Sequence, residues 1–293
     1  MTVFLNGQFV PEAEAKVSVF DRSFLYGDGL FETVRISNGK PFRLQPHLQR
    51  LEQGAEYLGI KVPYSVAALS GFVNELTARN AMKEALLRIT LSRGVGVRGY
   101  SPKGANQPTL VMSLHPFGVP ISESVSTERA GSEIGAPVRW RAHLASVRLP
   151  AGDALAQFKS CNKLAQVLAR AEAEAAGADE ALLLNTDGFV VEAATGNLFW
   201  VQAGSVCTPP LADGILRGIT RGVVLEICQQ LDMPVQEVNV RPEDLCGVDA
   251  VFLSLSSYGI VELSGIGEAA VGRSPIVTKL FQTYSELLRS ECA

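Results

Sequence analysis

Short apolar runs broken by glycine-bearing turns dominate the first part of the chain. Val3-Phe4-Leu5 and Gln8-Phe9-Val10 flank Asn6-Gly7, the dipeptide that suits a tight hairpin because both turn positions take positive φ. Phe20 to Gly29 reads as a glycine-bearing loop that feeds a strand from Leu30 to Ile36. Ser37-Asn38-Gly39-Lys40 predicts a turn, with Phe42-Arg43-Leu44 pairing back. Pro46 fits the first turn of a helix whose inner face is His47, Leu51 and Ala55, with Leu58 nearby and Gly59 as its stop. Ser65 opens a second helix through Leu69, Phe72, Val73 and Leu76. Ala85 to Arg93 and Thr109 to His115 read as strands.

The second part alternates longer helical and extended segments. Ser160 is placed to cap a helix with Leu164, Val167, Leu168 and Ala171 at helical spacing and Gly177 as the stop. Phe189 to Ala194 predicts a strand after the turn Asn185-Thr186-Asp187-Gly188, with Glu192 on the same face as Val190 and Ala194. Strands are expected at Leu198 to Gln202 and Ala250 to Leu255. Gly218-Ile219-Thr220-Arg221 leads into a helix through Val224, Leu225 and Cys228, with Thr220 able to cap it. Ile276 to Leu288 reads as an amphipathic closing helix.

Composition narrows the class. The 293 residues suffice for two domains of ordinary size, and 47% hydrophobic with 19% charged residues suits packed cores. A net charge of −4 argues against a nucleic-acid partner, which needs a basic footprint. No apolar run is long enough to span a membrane. The five cysteines include no pair at metal-ligand spacing, and no signal peptide is visible at Met1-Thr2-Val3. Free thiols in a reducing cytoplasm are the expected state.

The chemistry concentrates at Phe158-Lys159-Ser160-Cys161-Asn162-Lys163-Leu164 and at Glu192-Ala193-Ala194-Thr195-Gly196-Asn197. A lone lysine is ordinarily a solvated one. A carboxylate on a strand is either solvated or buried against a positive partner. A pinned lysine paired with a buried carboxylate meets the needs of pyridoxal phosphate chemistry. The amine condenses with the cofactor aldehyde, and the carboxylate keeps the ring nitrogen protonated. Lys163 is the nearest rival to Lys159 and is expected to face solvent. Arg139, Arg141, His143 and Arg148 form a local basic cluster, either a solvated face or a site for an anion.

The pairing of Lys-Ser-x-Asn-x-Leu with Glu-x-x-x-x-Asn-Leu-Phe resembles the class IV aminotransferases, pyridoxal phosphate enzymes of fold type IV, over nearly the whole chain. The resemblance implies an α+β protein of two domains with the active site in the cleft between them. The expected division is 1–118, a connector at 119–128, and a larger domain at 129–293 that carries the lysine. It implies Lys159 as the catalytic amine and Glu192 as the partner of the ring nitrogen. Arg50, Ile219, Thr220 and Ser256 or Ser257 are implied as phosphate ligands, with Leu216 and Thr195 as further cofactor contacts. Phe31, Glu32 and Thr33 are implied as pocket walls, and Arg98 and Tyr100 as substrate contacts. Arg98-Gly99-Tyr100-Ser101 and the lysine segment are closest to the 4-amino-4-deoxychorismate lyase branch. An aminotransferase for D-amino or branched-chain acids is the alternative. The expected partners are a small amino-carboxylate substrate and a second copy of the chain in a homodimer.

Overall fold

The computed structural model describes residues 1–117 and 136–293; the expected connector lies outside the described residues. These residues form two compact units. The first holds 1–117 together with Phe158–Asn162 and Leu288–Ala293, and the second holds 136–157 and Lys163–Leu287. The lysine segment was expected with the second domain, yet it groups with the first unit because its backbone hydrogen bonds go there.

The first unit is built on a six-stranded sheet. Its strands are β1 (Thr2–Leu5), β2 (Gln8–Pro11), β3 (Gly29–Ser37), β4 (Lys40–Pro41), β5 (Ala85–Ser92) and β6 (Thr109–Pro116), in the order β2-β1-β6-β5-β3-β4. Asn6 and Gly7 both take positive φ in the β1–β2 hairpin, as the dipeptide requires. Helices α2 (Leu44–Leu58) and α3 (Val66–Asn80) cover one sheet face. Leu48, Leu51, Leu69 and Val73 interlock there with Leu30, Val34, Leu87 and Ile89. Ser65 caps α3 by accepting from the Ala68 amide at 3.2 Å.

Two local expectations change. The stretch after Phe20 holds a short helix, α1 (Arg22–Tyr26). Asp21 starts it by accepting from the Ser23 amide, and Gly27 ends it at φ 68°. Phe42 to Leu44 does not form a strand: Arg43 takes a left-handed φ of 53°, which ends the extended run and turns the chain directly into α2.

The second unit has a nine-stranded sheet. It comprises β7 (Arg139–Leu149), β8 (Glu180–Asn185), β9 (Val190–Ala193), β10 (Asn197–Gln202), β11 (Ser205–Thr208), β12 (Val235–Glu237), β13 (Ala250–Leu255), β14 (Gly259–Ile266) and β15 (Ala269–Ala270). Strand β7 runs parallel to both β8 and β14, while β8–β9, β9–β10, β10–β13 and β13–β14 are antiparallel. Leu198, Trp200, Val251, Leu253 and Val261 form its main core. Helices α4 (Leu164–Ala175), α5 (Ile219–Gln230) and most of α6 (Pro275–Glu291), whose last turn belongs to the first unit, lie in this unit.

Helix α4 reverses the predicted packing. Its core-facing residues are Ala169 and Ala173, which meet Ala145, Ala181 and Leu183. Leu164, Val167 and Leu168 stand 70%, 60% and 53% exposed. Alanines let the helix backbone approach β7 and β8 closely, so the smaller side chains take the inner face.

Candidate active site

Lys159 is held by backbone. The Phe31 amide donates to the Lys159 carbonyl at 2.8 Å, and the Cys161 amide donates to the Gly29 carbonyl at 2.9 Å. These bonds bracket an antiparallel bridge between Leu30 and Ser160. Ser160 therefore extends the edge of β3 and does not cap a helix; α4 begins at Leu164 with half-buried Lys163 as its uncapped N-cap residue. Phe158 packs on the first unit's core and meets Tyr57 at 4.5 Å between ring centroids. Anchored on both sides, the half-buried Lys159 puts its Nζ 4.7 Å from the centroid of the Phe31 ring.

Arg88, which no motif marks, lies on the same ring. Its Cζ is 3.5 Å from the Phe31 centroid. Thr33 pairs with Arg88 across β3 and β5, and Arg88 Nε donates to Thr90 Oγ1 at 3.2 Å. Burial pushes the Arg88 pKa down, and Cys161 and Glu32 act against that. Its one signal in the sequence is a charge at an alternate position among Leu87, Ile89 and Leu91, which are fully buried.

Glu32 does not share the face of Phe31 and Thr33. Strand alternation turns it with Leu30 and Val34 toward α2. There it is 1% exposed and accepts from Arg50 Nε at 2.8 Å, from Arg50 through a terminal nitrogen at 2.7 Å, and from His47 Nδ1 at 2.7 Å. Burial alone would raise the Glu32 pKa, but the Arg50 charge and the His47 and Arg50 hydrogen bonds outweigh it and bring it to about 2. Burial pushes the His47 pKa down despite Glu32, so the ring is neutral and donates through Nδ1. Arg50, the expected phosphate ligand, is 8% exposed and fixed in plane by this carboxylate.

Arg98 and Tyr100 lie on an exposed loop of the first unit, Tyr100 at 88% exposure. Buried Arg22 shapes that loop by donating to the carbonyls of Gly99, Tyr100 and Ser101.

In the second unit, Glu192 pairs with Asn197 across β9 and β10. The Leu216 amide donates to Glu192 Oε2 at 3.2 Å, and Asn197 Nδ2 donates to the Leu216 carbonyl at 2.8 Å. Glu192 was expected on the face of Val190, but an irregularity in the β8–β9 register skips Val191 and breaks the alternation. Such bulges re-aim a side chain. Asn197 was visible as part of the motif, but its task was not: 4% exposed, it holds the loop that meets Glu192.

Helix α5 begins just beyond that loop. Its N-cap is Gly218, and no side chain caps it. Thr220 thus sits in the first turn and is not the cap, and it is buried. An uncapped N-terminus offers free amides and the positive end of the helix dipole, a donor set suited to a phosphate. A Cβ on Gly218 would collide with Asn197 Oδ1, so the backbone here lies directly on that side chain. Ser256 and Ser257 occupy the turn between β13 and β14, two and three residues beyond Ser254, which pairs with Asn197. Ser254 Oγ is buried without a hydrogen-bond partner. Glu192, Asn197, Leu216 and the α5 N-terminus thus converge in one unit and fit a phosphorylated pyridine. Thr195 turns the other way, its hydroxyl donating to the fully buried Glu180.

The basic cluster on β7 is committed elsewhere. Arg139 pairs with buried Glu262 at 3.1 Å, Arg141 donates to the Gly267 carbonyl, His143 meets Glu172 at 3.0 Å, and Arg148 donates to the Ala145 carbonyl. These partners tie the cluster into the second unit as a structural seam.

The family model for class IV aminotransferases matches residues 29–266. The chain belongs to the class IV aminotransferases. Members of this family are pyridoxal phosphate enzymes of fold type IV, and the donor sets above fit that cofactor. A putative branched-chain-amino-acid aminotransferase of Methanocaldococcus jannaschii is 36% identical, covering 98% of this chain and 96% of its own. An aminodeoxychorismate lyase of Vibrio harveyi is 33% identical, covering 86% of this chain and 88% of its own. Among solved structures, the branched-chain aminotransferase of the thermophilic archaeon Thermoproteus uzoniensis with norvaline superposes with a TM-score of 0.88 at 32% identity, covering 99% and 96% of the two chains.

Proposed function

We propose that this class IV enzyme is a 4-amino-4-deoxychorismate lyase, which releases pyruvate and leaves 4-aminobenzoate. The observation that carries an amino-carboxylate substrate is the pair of cations on one aromatic ring: Lys159 as the amine, with Arg88 beside it as a counter-charge for an acid group. The lyase branch is supported by the loop Arg98-Gly99-Tyr100-Ser101 and by the segment around Lys159, both closest to that branch in motif.

When bound, pyridoxal phosphate supplies an aldehyde for the substrate amine and a protonated ring that draws electrons from the substrate's α-carbon. Lys159 holds the cofactor at rest and, once released, takes the α-proton at Nζ. Glu192 keeps the ring nitrogen protonated, and Leu216 orients that carboxylate through its amide. Arg50, the amides of Ile219 and Thr220, and Ser256 or Ser257 hold the phosphate. Phe31 and Thr33 line the reacting face, and Arg98 with Tyr100 receives the substrate carboxylate. A homodimer is part of this reading, and the exposed apolar face of α4 suits a second copy. So is a cytoplasmic location, for which the five free thiols speak.

The second reading is an aminotransferase for branched-chain or D-amino acids, favoured by the identity to the archaeal relative. Both readings share the proton removal by Lys159. They separate on a substrate panel with cofactor-loaded protein. Pyruvate release from 4-amino-4-deoxychorismate with no keto acid added is the expected result. Transfer from leucine or D-alanine that needs a keto acid, with no pyruvate released from the chorismate, overturns the lyase in favour of the second reading.

A further inference from the structure

Glu32 and His47, buried with Arg50 behind β3, have no part in the reactions just described. The three side chains are 1%, 3% and 8% exposed. Removing a carboxylate and a guanidinium from water is costly unless their geometry is well matched. Here it is: the carboxylate accepts two bonds from the arginine fork and a third from the imidazole. The three side chains come from two elements, β3 and the first turns of α2, so packing fixes their relative positions. The guanidinium cannot rotate about its own axis without breaking a charge-assisted bond.

We propose that Glu32 is a positioning residue for Arg50: it sets the plane of the guanidinium for binding the cofactor phosphate, with His47 holding the second carboxylate oxygen in register. This rests on the reading of Arg50 as a phosphate ligand. Glu32 then acts on the phosphate arm of the cofactor and not on substrate, against the expectation that it walls the substrate pocket. His47, neutral and donating through Nδ1, adds a bond without adding charge. Arg50 and Lys159 are the cations that act on His47, and Glu32 acts against them.

The test compares two ligands on the full chain stripped of cofactor: pyridoxal 5'-phosphate and pyridoxal, which lacks the phosphate. The factor by which the phosphate tightens binding, the Kd of pyridoxal over that of pyridoxal 5'-phosphate, isolates the phosphate arm. Glu32→Gln is expected to reduce that ratio about tenfold or more while pyridoxal binds within about twofold of wild type. Arg50→Lys should reduce the ratio at least as far, and the double variant should fall no further than Arg50→Lys alone. Should Glu32→Gln fail to fold, Glu32→Asp keeps the charge but shortens its reach, and a smaller drop in the same ratio is expected, with His47→Gln falling in between. If Arg50→Lys lowers the ratio but the Glu32 variants leave it unchanged, or weaken both ligands equally, the positioning role is wrong. If Arg50→Lys itself leaves the ratio unchanged, the reading of Arg50 is wrong, and the inference goes with it.

Discussion

The two units handle charge by opposite means at their candidate functional residues. In the first unit a buried carboxylate is neutralised by the Arg50 fork and further hydrogen-bonded by the His47 ring. In the second unit, Glu192 meets the backbone amide of Leu216, and the phosphate-suited end of α5 is also backbone. A site made from side chains is sensitive to a change of charge. A site made from backbone is sensitive to added bulk, because little in it can move aside. The first kind leaves ionic residues in the sequence, whereas the second leaves glycines and an asparagine.

That contrast is open to attack in order of effect. The largest belongs to Lys159, which neither kind of substitution elsewhere should match. Lys159→Ala should lower turnover by about 10³-fold or more and abolish borohydride fixation of the cofactor to the chain, read by peptide mass mapping. Labelling of a different lysine in the wild-type chain would end the assignment.

Next comes the charge-built half. The Glu32 pKa of about 2 lies below its ordinary value of 4.5, so the folded state favours the ionised form. The stability it contributes is fully present above about pH 4.5 and is lost as pH falls through about 2, a difference of about 3 kcal/mol. Glu32→Gln should therefore destabilise the fold at neutral pH by about that amount, and its urea-unfolding free energy should fall less steeply with acid than the wild type's. Parallel acid profiles for the two proteins would show that the carboxylate is not held as described.

The backbone-built half should respond to a methyl group. Gly218→Ala sets a Cβ against Asn197 Oδ1 at an ordinary φ of −65°, so crowding and not backbone strain is the perturbation. Cofactor affinity is expected to drop about tenfold while the melting temperature moves by only a few degrees, about what 1 kcal/mol does in a chain of this size. An unchanged Kd would place the phosphate elsewhere. The smallest effect is at the β7 seam, where Arg141→Ala should change kcat/KM by less than about twofold, in line with ordinary surface positions.

Much of the fold was legible because it rests on strong local rules. The Asn6-Gly7 hairpin, the Ser65 cap and the apolar alternation of β5, β6 and β13 each appear where the sequence puts them. Failures came where a distant partner decided. Ser160 has the side chain of a helix cap, but its backbone bridges to Leu30, far back along the chain. The apolar stripe of α4 has the right period, yet sheet neighbours made of alanine and leucine select Ala169 and Ala173 for the inside. Of the candidate site, Lys159 and Glu192 announce themselves by motif, and Arg50 joins them by resemblance. Arg88 and Asn197 gain their meaning only when β3 meets β5 and β9 meets β10. Glu32 was implied as a pocket wall by the resemblance, together with Phe31 and Thr33, whereas the alternation of β3 turns it to the opposite face, toward α2.

The bridge between Leu30 and Ser160 also bears on how the protein is made. A ribosome delivers β3 long before it delivers the segment that lies along the start of that strand. Until then, the Gly29 carbonyl and the Phe31 amide have no partners on that side. A nascent chain halted before residue 158 would present this stretch as an open template for pairing with other chains. The lysine proposed as the catalytic amine therefore doubles, through its backbone carbonyl, as part of a late-arriving clasp, and separate expression of residues 1–117 should yield an aggregation-prone product.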